Sequence, residues 1–274
     1  MRRLSAPTLA AYVAVGLVAA TMLLPLLWML SASLMTHGEA LSRPPRLLPQ
    51  VPQWRNYAEA LRLVPFHRFF LNSLIMTGLA VVLQLVTCST AAYAFARLRF
   101  PGSGKLFAGY LATLMVPPVV TMIPAFLLVV DLGWKGTHAA LVAPFASSVW
   151  GIFLLRQFFL GLPRELEDAA RIDGAGELTI FTRIMLPLCK PALATLGVFA
   201  ATSTWQQFLW PLVVTDTMEM RPVSVGIALF ATLHEHMPHY QMAAAVVAMV
   251  PMLIVFVVAQ RHLVQGISLT GMKG

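Results

Sequence analysis

From Leu4 to Gly38 the chain carries no Asp, Glu, Lys or Arg, and five more stretches repeat the pattern: Phe69–Ala96, Leu106–Val130, Gly136–Leu155, Pro191–Thr215 and His236–Gln260. A helix of about 20 mostly apolar residues is what the hydrocarbon core of a bilayer demands. Trimmed to their apolar centres, the six become spans at about 9–34, 69–96, 106–130, 138–159, 190–214 and 241–262. Composition agrees, with 58% of the 274 residues hydrophobic and only 11% charged. An average soluble domain carries about 25% charged residues. This chain cannot cover a globule with polar side chains, and it is too apolar for disorder. It reads as an all-α, multi-pass integral membrane protein, one transmembrane domain over residues 1–274. The run after Arg2 and Arg3 is too long for the apolar region of a signal peptide.

An even number of spans puts both termini on one side. With that side inside the cell, twelve basic residues face the cytoplasm (Arg97, Arg99, Arg156, Arg164 and Arg171 among them) and seven face out, while the acids divide five and six. The positive-inside rule therefore favours N-in, C-in. The net charge of +8 is a topology signal, since a nucleic-acid binder would gather its basic residues into a stripe. Cys88 and Cys189 lie within or beside apolar runs and read as small buried hydrophobes.

No span carries a charge near its centre, where pumps and proton-coupled carriers place ionisable groups. Any energy source must lie in another chain. Gly102-Ser103-Gly104-Lys105-Leu106 resembles a phosphate-binding loop only in part, because Arg99 stands for the first glycine and Leu106 for the Ser/Thr. It reads as a short turn. The spans are instead rich in proline (Pro25, Pro117, Pro118, Pro124, Pro144, Pro211, Pro251), which kinks or breaks helices. They also hold uncharged polar groups such as Asn72, Gln84, Ser147, Thr202, Gln206 and Gln207, which serve either as interhelical glue or as pathway lining. In Trp205-Gln206-Gln207-Phe208-Leu209-Trp210, amides beside aromatic faces suit an uncharged polyhydroxylated ligand, plain packing being the alternative. Pro222–Leu233 is apolar but too short to cross and reads as a surface or re-entrant helix. In His234-Glu235-His236-Met237-Pro238-His239, proline stands where a zinc-binding H-E-x-x-H needs its second histidine, and no metal site is expected.

The segment between spans 4 and 5, about 160–189, has an organisation of its own. Pro163 suits a first helical position, Glu165, Glu167 and Asp168 oppose the helix dipole, and Gly174 suits a left-handed cap. A second helix, about Glu177–Met185, presents Leu178, Phe181, Ile184 and Met185 before Pro187 stops it. Two short amphipathic helices outside the bilayer either pack under the bundle or dock a soluble partner.

Asp168-Ala169-Ala170, with Gly174 four residues beyond Ala170 and then Ile184 and Leu186-Pro187, resembles the EAA loop of membrane subunits of ATP-binding cassette (ABC) importers. Asn72-Ser73-Leu74, the run from Ala91 to Gly102, Met115-Val116-Pro117-Pro118, Arg171-Ile172-Asp173-Gly174-Ala175 and the closing Gly271-Met272-Lys273-Gly274 extend the likeness over nearly the whole chain. The branch it resembles is the carbohydrate-uptake one, in its MalG-like permease subunits.

That resemblance implies a six-helix type I importer permease fold in the inner (cytoplasmic) membrane, working beside a second, MalF-like permease subunit, an ATPase dimer and an extracytoplasmic solute-binding protein. This chain would bind no cofactor, and ATP with magnesium would sit in the ATPases. Asp168, Ala169, Ala170 and Gly174 would form the coupling element, with Arg171 and Asp173 as polar contacts to the ATPase. Asn72, Trp205, Gln206, Gln207 and Trp210 would line the solute pathway, and the loop Thr215–Tyr240, with His234, His236 and His239, would face the binding protein. The implied solute is an oligosaccharide or amino sugar; glycerol 3-phosphate is the alternative, and a non-transporting scaffold or sensor a more distant one. The sequence departs from the family pattern at Asp168, where Glu is usual. It departs again at Gln206-Gln207, where Asn-Asp or Asn-Glu is usual, and in the tail Ser268-Leu269-Thr270-Gly271-Met272.

Overall fold

The computed structural model describes residues 6–232 and 237–271, all helix and connecting turn, with no strand among the described residues. Helix α1 (Ala6–Ser33) leads to the short α2 (His37–Ala40) and α3 (Arg55–Leu63), and then to the long α4 (Phe66–Arg97). Next come α5 (Ser103–Ala112) with α6 (Pro118–Asp131), and α7 (His138–Val142) with α8 (Val149–Leu160). The segment expected to lie outside the spans holds α9 (Glu165–Ile172), α10 (Glu177–Ile180) and α11 (Leu186–Leu188). It is followed by α12 (Lys190–Trp205), α13 (Leu209–Val214), α14 (Val223–Thr232) and α15 (Pro238–Gly271). The short apolar stretch after Pro222 is thus a helix, α14, as its length suggested.

Three of the charge-free stretches form unbroken apolar helices, Ala11–Ser33, Phe66–Arg97 and Pro238–Gln260. The rest are bent, and proline accounts for much of the bending. Residues ahead of a proline are pushed out of the helical region, and Val116 and Pro117 accordingly adopt extended backbone before α6 starts on Pro118. The two halves, Ser103–Met115 and Pro118–Asp131, meet at 101°. The stretch after Thr137 bends by 43° between Phe145 and Val149, where the Ser148 hydroxyl accepts the Gly151 amide and starts α8. The expected span 190–214 is interrupted at 206–208. Pro25, Pro124 and Pro251, by contrast, lie inside continuous helices.

Pro187 does not end its helix as expected. A π-helical turn over Phe181–Met185 widens the coil where the proline ring would meet the Arg183 carbonyl, and the helix continues to Leu188. The chain then turns by 78° into α12.

The chain divides into two compact units, Met1–His67 with Gly226–Val250, and Arg68–Val225 with Pro251–Gly274. In the first, Asn56 is buried and donates to the carbonyls of Ser33 and Met35, which pins α3 to the end of α1. A capping box joins Thr36 and Glu39 at the start of α2, and Glu39 also accepts the Gln50 amide at 3.0 Å. The backbone amides of Thr36 and Gln50, helped by the Arg46 guanidinium, hold the Glu39 carboxyl below the usual carboxylate range. Most of α1 is uncovered: from Tyr12 to Leu30 its large apolar side chains are exposed on every side.

The second unit contains two apolar cores. One gathers Cys88, Tyr93, Leu155, Phe159, Met185 and Leu196. Its tightest point is Gly151, where a Cβ would lie 2.7 Å from Leu196 Cδ1 and 3.1 Å from Cys88 Sγ, so the absence of a side chain sets how closely α8 approaches α4 and α12. The other core holds Met76, Val129, Leu141, Trp210 and Val214. Both cysteines are free and buried, as read.

Candidate functional site

Helix α9 has two unlike faces. Glu167 and Ala170 are buried, while Asp168 and Ala169 point away from the unit, and Ile172 beyond them is 87% exposed. Leu178, on the next turn of chain, is 74% exposed. Ile172 on α9 and Leu178 on α10 thus hold two large aliphatic side chains in the open beside Asp168 and Ala169. The helix stops where Gly174 adopts φ +83°, a conformation that suits glycine. There the Ala175 amide donates to the Ala170 carbonyl and the Gly174 amide to that of Arg171, the Schellman pattern that satisfies the terminal carbonyls. Asp173 occupies the cap position between them.

Behind the open face lies a polar network that the sequence did not reveal. Arg97, the last residue of α4, places Nε 2.8 Å from Glu167 Oε1, with side chains 2% and 4% exposed. The same guanidinium donates through Nη2 to the carbonyls of Phe159 and Leu162, so it also caps the end of α8. Arg171 reaches Glu167 at 3.4 Å, Asp168 at 3.1 Å and Glu177 at 3.0 Å. The Tyr93 hydroxyl, one turn before Arg97 on α4, donates to Glu177 at 2.7 Å. That bond, together with Arg171, holds the Glu177 carboxyl below the usual carboxylate range. A cleft of about 410 Å³ opens beside the network, with Arg99 and Arg164 on its wall.

Of the expected docking residues, Asp168, Ala169, Arg171, Asp173 and Gly174 therefore lie at the open side or end of α9, and Ala170 packs inward. The residues that hold the helix, Glu167, Arg97, Tyr93 and Glu177, were not among them. A pointer did exist in the sequence, because Glu167 and Arg171 stand four apart.

The expected pathway residues gather around the interruption at 206–208. Trp205 ends α12 and meets Phe70 edge-on at 5.7 Å between ring centroids. Gln206 is exposed and Gln207 half-buried, and neither side-chain amide hydrogen-bonds to a described residue. Trp210 opens α13 and donates its indole N–H to the Ala140 carbonyl at 2.9 Å. Asn72 donates to the carbonyls of Glu219 and Arg221 and pairs with His138 through Oδ1 at 3.2 Å. Free amides therefore stand at a break in a helix, a place where transporters bind solute, while Asn72 and Trp210 brace the backbone around it. His239 lies in the first turn of α15, 6% exposed, its ring edge-on to that of His37. His234 and His236 fall outside the described residues.

Long apolar helices, some of them broken inside the apolar stretch, with a short amphipathic helix held beside them, are the build of a multi-pass transport permease. Comparison with known proteins places it more closely. Residues 89–269 match the family described as binding-protein-dependent transport system inner membrane component, and the chain belongs to that family. It is 37% identical over 206 residues to the arabinooligosaccharides transport system permease protein AraQ of Halalkalibacterium halodurans, covering 75% of this chain and 74% of that one. It is 34% identical over 252 residues to the sn-glycerol-3-phosphate transport system permease protein UgpE of Brucella suis, covering 89% of each. Among solved structures, a chain of a bacterial ABC transporter that imports the acidic polysaccharide alginate superposes with a TM-score of 0.84 at 26% identity, covering 96% of this chain and all of that one.

Proposed function

We propose that this chain is a membrane-spanning subunit of an ATP-driven, binding-protein-dependent sugar importer of the cytoplasmic membrane. In this reading it crosses six times, each bent pair counting once, with both termini and α9 on the cytoplasmic side. The solute is an oligosaccharide or amino sugar, passed in from an extracytoplasmic binding protein. A second permease subunit completes the pathway, and two ATPase subunits, which hold ATP and magnesium, seat α9 in a cleft. The observation that carries this is the split character of α9, which holds Ile172 out in the open while its other face is tied to α4 by the buried Glu167–Arg97 ion pair. Uncharged Gln206 and Gln207 at the helix break favour a neutral, hydroxyl-rich solute. The likeness to a glycerol-3-phosphate permease favours a second reading, in which the solute is a small phosphate ester.

Two experiments test this. In the complex reconstituted with its ATPases and binding protein, Gly174→Pro or Asp168→Lys is expected to abolish solute-dependent ATP hydrolysis and uptake; retention of both overturns the docking role. Thermal-shift titration of the binding protein with neutral oligosaccharides, amino-sugar oligosaccharides and glycerol 3-phosphate then separates the two solute readings.

A further inference from the structure

The contacts behind α9 close on themselves. Tyr93 and Arg97 stand one turn apart on the same face of α4, and each holds a carboxylate, Glu177 and Glu167 respectively. Arg171 binds both carboxylates. The ring is therefore Tyr93, Glu177, Arg171, Glu167, Arg97 and back along α4. It branches twice, from Arg97 to the carbonyls of Phe159 and Leu162 at and just beyond the end of α8, and from Arg171 to Asp168. Asp168, adjacent to Glu167 on the helix, keeps its side chain 68% exposed on the docking face and meets the ring only through Arg171.

We infer that this ring is a rigid joint that carries displacement of the α9 docking face to the adjoining ends of α4 and α8, with Glu167 as its central positioning residue; the inference rests on α9 docking an ATPase. Stability alone is a poor account of a buried ion pair, because a well-packed apolar pair serves as well. Direction is what the charged pair adds. Apolar faces slide past one another at little cost in a packed interface, whereas a buried ion pair whose arginine is also fixed by two backbone carbonyls holds one geometry. Glu167 meets Arg97 of α4, and Arg97 in turn donates to carbonyls at the end of α8, so a pull on α9 reaches both helices together. At 2% and 4% exposure the Arg97–Glu167 pair at its centre is also shielded from salt, which an exposed ion pair is not.

The test uses the whole complex with its native ATPases and binding protein in proteoliposomes, and whichever solute of the panel above the unmodified complex accumulates. The readout is solute taken up per ATP hydrolysed, which loss of folded complex alone does not move. Glu167→Gln is expected to lower that ratio about tenfold, with partial recovery in Glu167→Asp. Tyr93→Phe, which removes one hydroxyl, is expected to lower it about threefold. An unchanged ratio in Glu167→Gln overturns the joint. If Glu167→Gln does not assemble, Tyr93→Phe decides in the same way. Absence of uptake by the unmodified complex overturns the transport reading itself.

Discussion

Pro211 stands four residues after Gln207, and the carbonyl its ring excludes from the helix is the one that accepts the Ser224 hydroxyl. A proline cannot bond to the carbonyl four residues back and clashes with it besides. The interruption between α12 and α13 follows, and Ser224 satisfies the group it frees.

Ser224→Ala is accordingly expected to cost about 1 kcal/mol, the usual net worth of such a part-buried hydrogen bond. Ser224→Thr, which keeps the hydroxyl, is expected to restore most of it. Thermal unfolding of the purified chain in detergent measures both, and equal melting temperatures for Ala and wild type would refute the assignment.

For Arg97 and Glu167 the order of damage is the prediction. Either single alanine leaves a charge buried without its partner, and each is expected to cost about 3–5 kcal/mol. Replacing both, Arg97→Met with Glu167→Leu, is expected to melt above either single variant. A double variant less stable than both singles would contradict the pairing at 2.8 Å.

At Gly151 any side chain meets Leu196 and Cys88. Gly151→Val is expected to lower stability by about 1–3 kcal/mol through overpacking. Gly151→Ala, whose single methyl meets the movable end of Leu196, is expected to cost less. Joining Leu196→Ala to Gly151→Val is expected to recover part of the loss, a non-additivity that melting curves of the four variants would expose.

The loop closed by Glu39 has a pH dependence of determined sign. Its carboxyl titrates lower in the folded chain than in the unfolded one. Its contribution is therefore complete above the unfolded carboxylate range and falls away as pH drops through the folded value. Hydrogen exchange at the Thr36 and Gln50 amides is expected to quicken as the pH falls below the ordinary glutamate range, over and above the intrinsic pH dependence of exchange. In Glu39→Gln this extra acceleration is expected to vanish. A Gln variant with the same acid response would show that another group is responsible.

Much of this arrangement is written in the chain order. Charge-free stretches mark the apolar helices because charge is what the bilayer refuses, and the Pro117-Pro118 pair marks a break because each proline acts on its immediate predecessor. The break at 206–208 is harder to see, since Pro211 acts on a carbonyl four residues upstream. Gly174 is legible as a helix cap from composition alone. Glu167 is not: a carboxylate in a first helical turn reads as a partner of the helix dipole, and only the tertiary fold brings Arg97 to it. His239 reads as a loop residue until Pro238, in the first-turn position that suits proline, begins α15 ahead of it.

Among the described side chains of α1, the buried ones are those of the last turn, Ser31, Ala32 and Ser33. Hydrocarbon length, more than this polypeptide's own core, therefore sets how such a helix lies in a membrane. Such a segment behaves as a tethered arm during biogenesis. Its length and apolarity suffice for it to enter lipid without first being covered by other side chains.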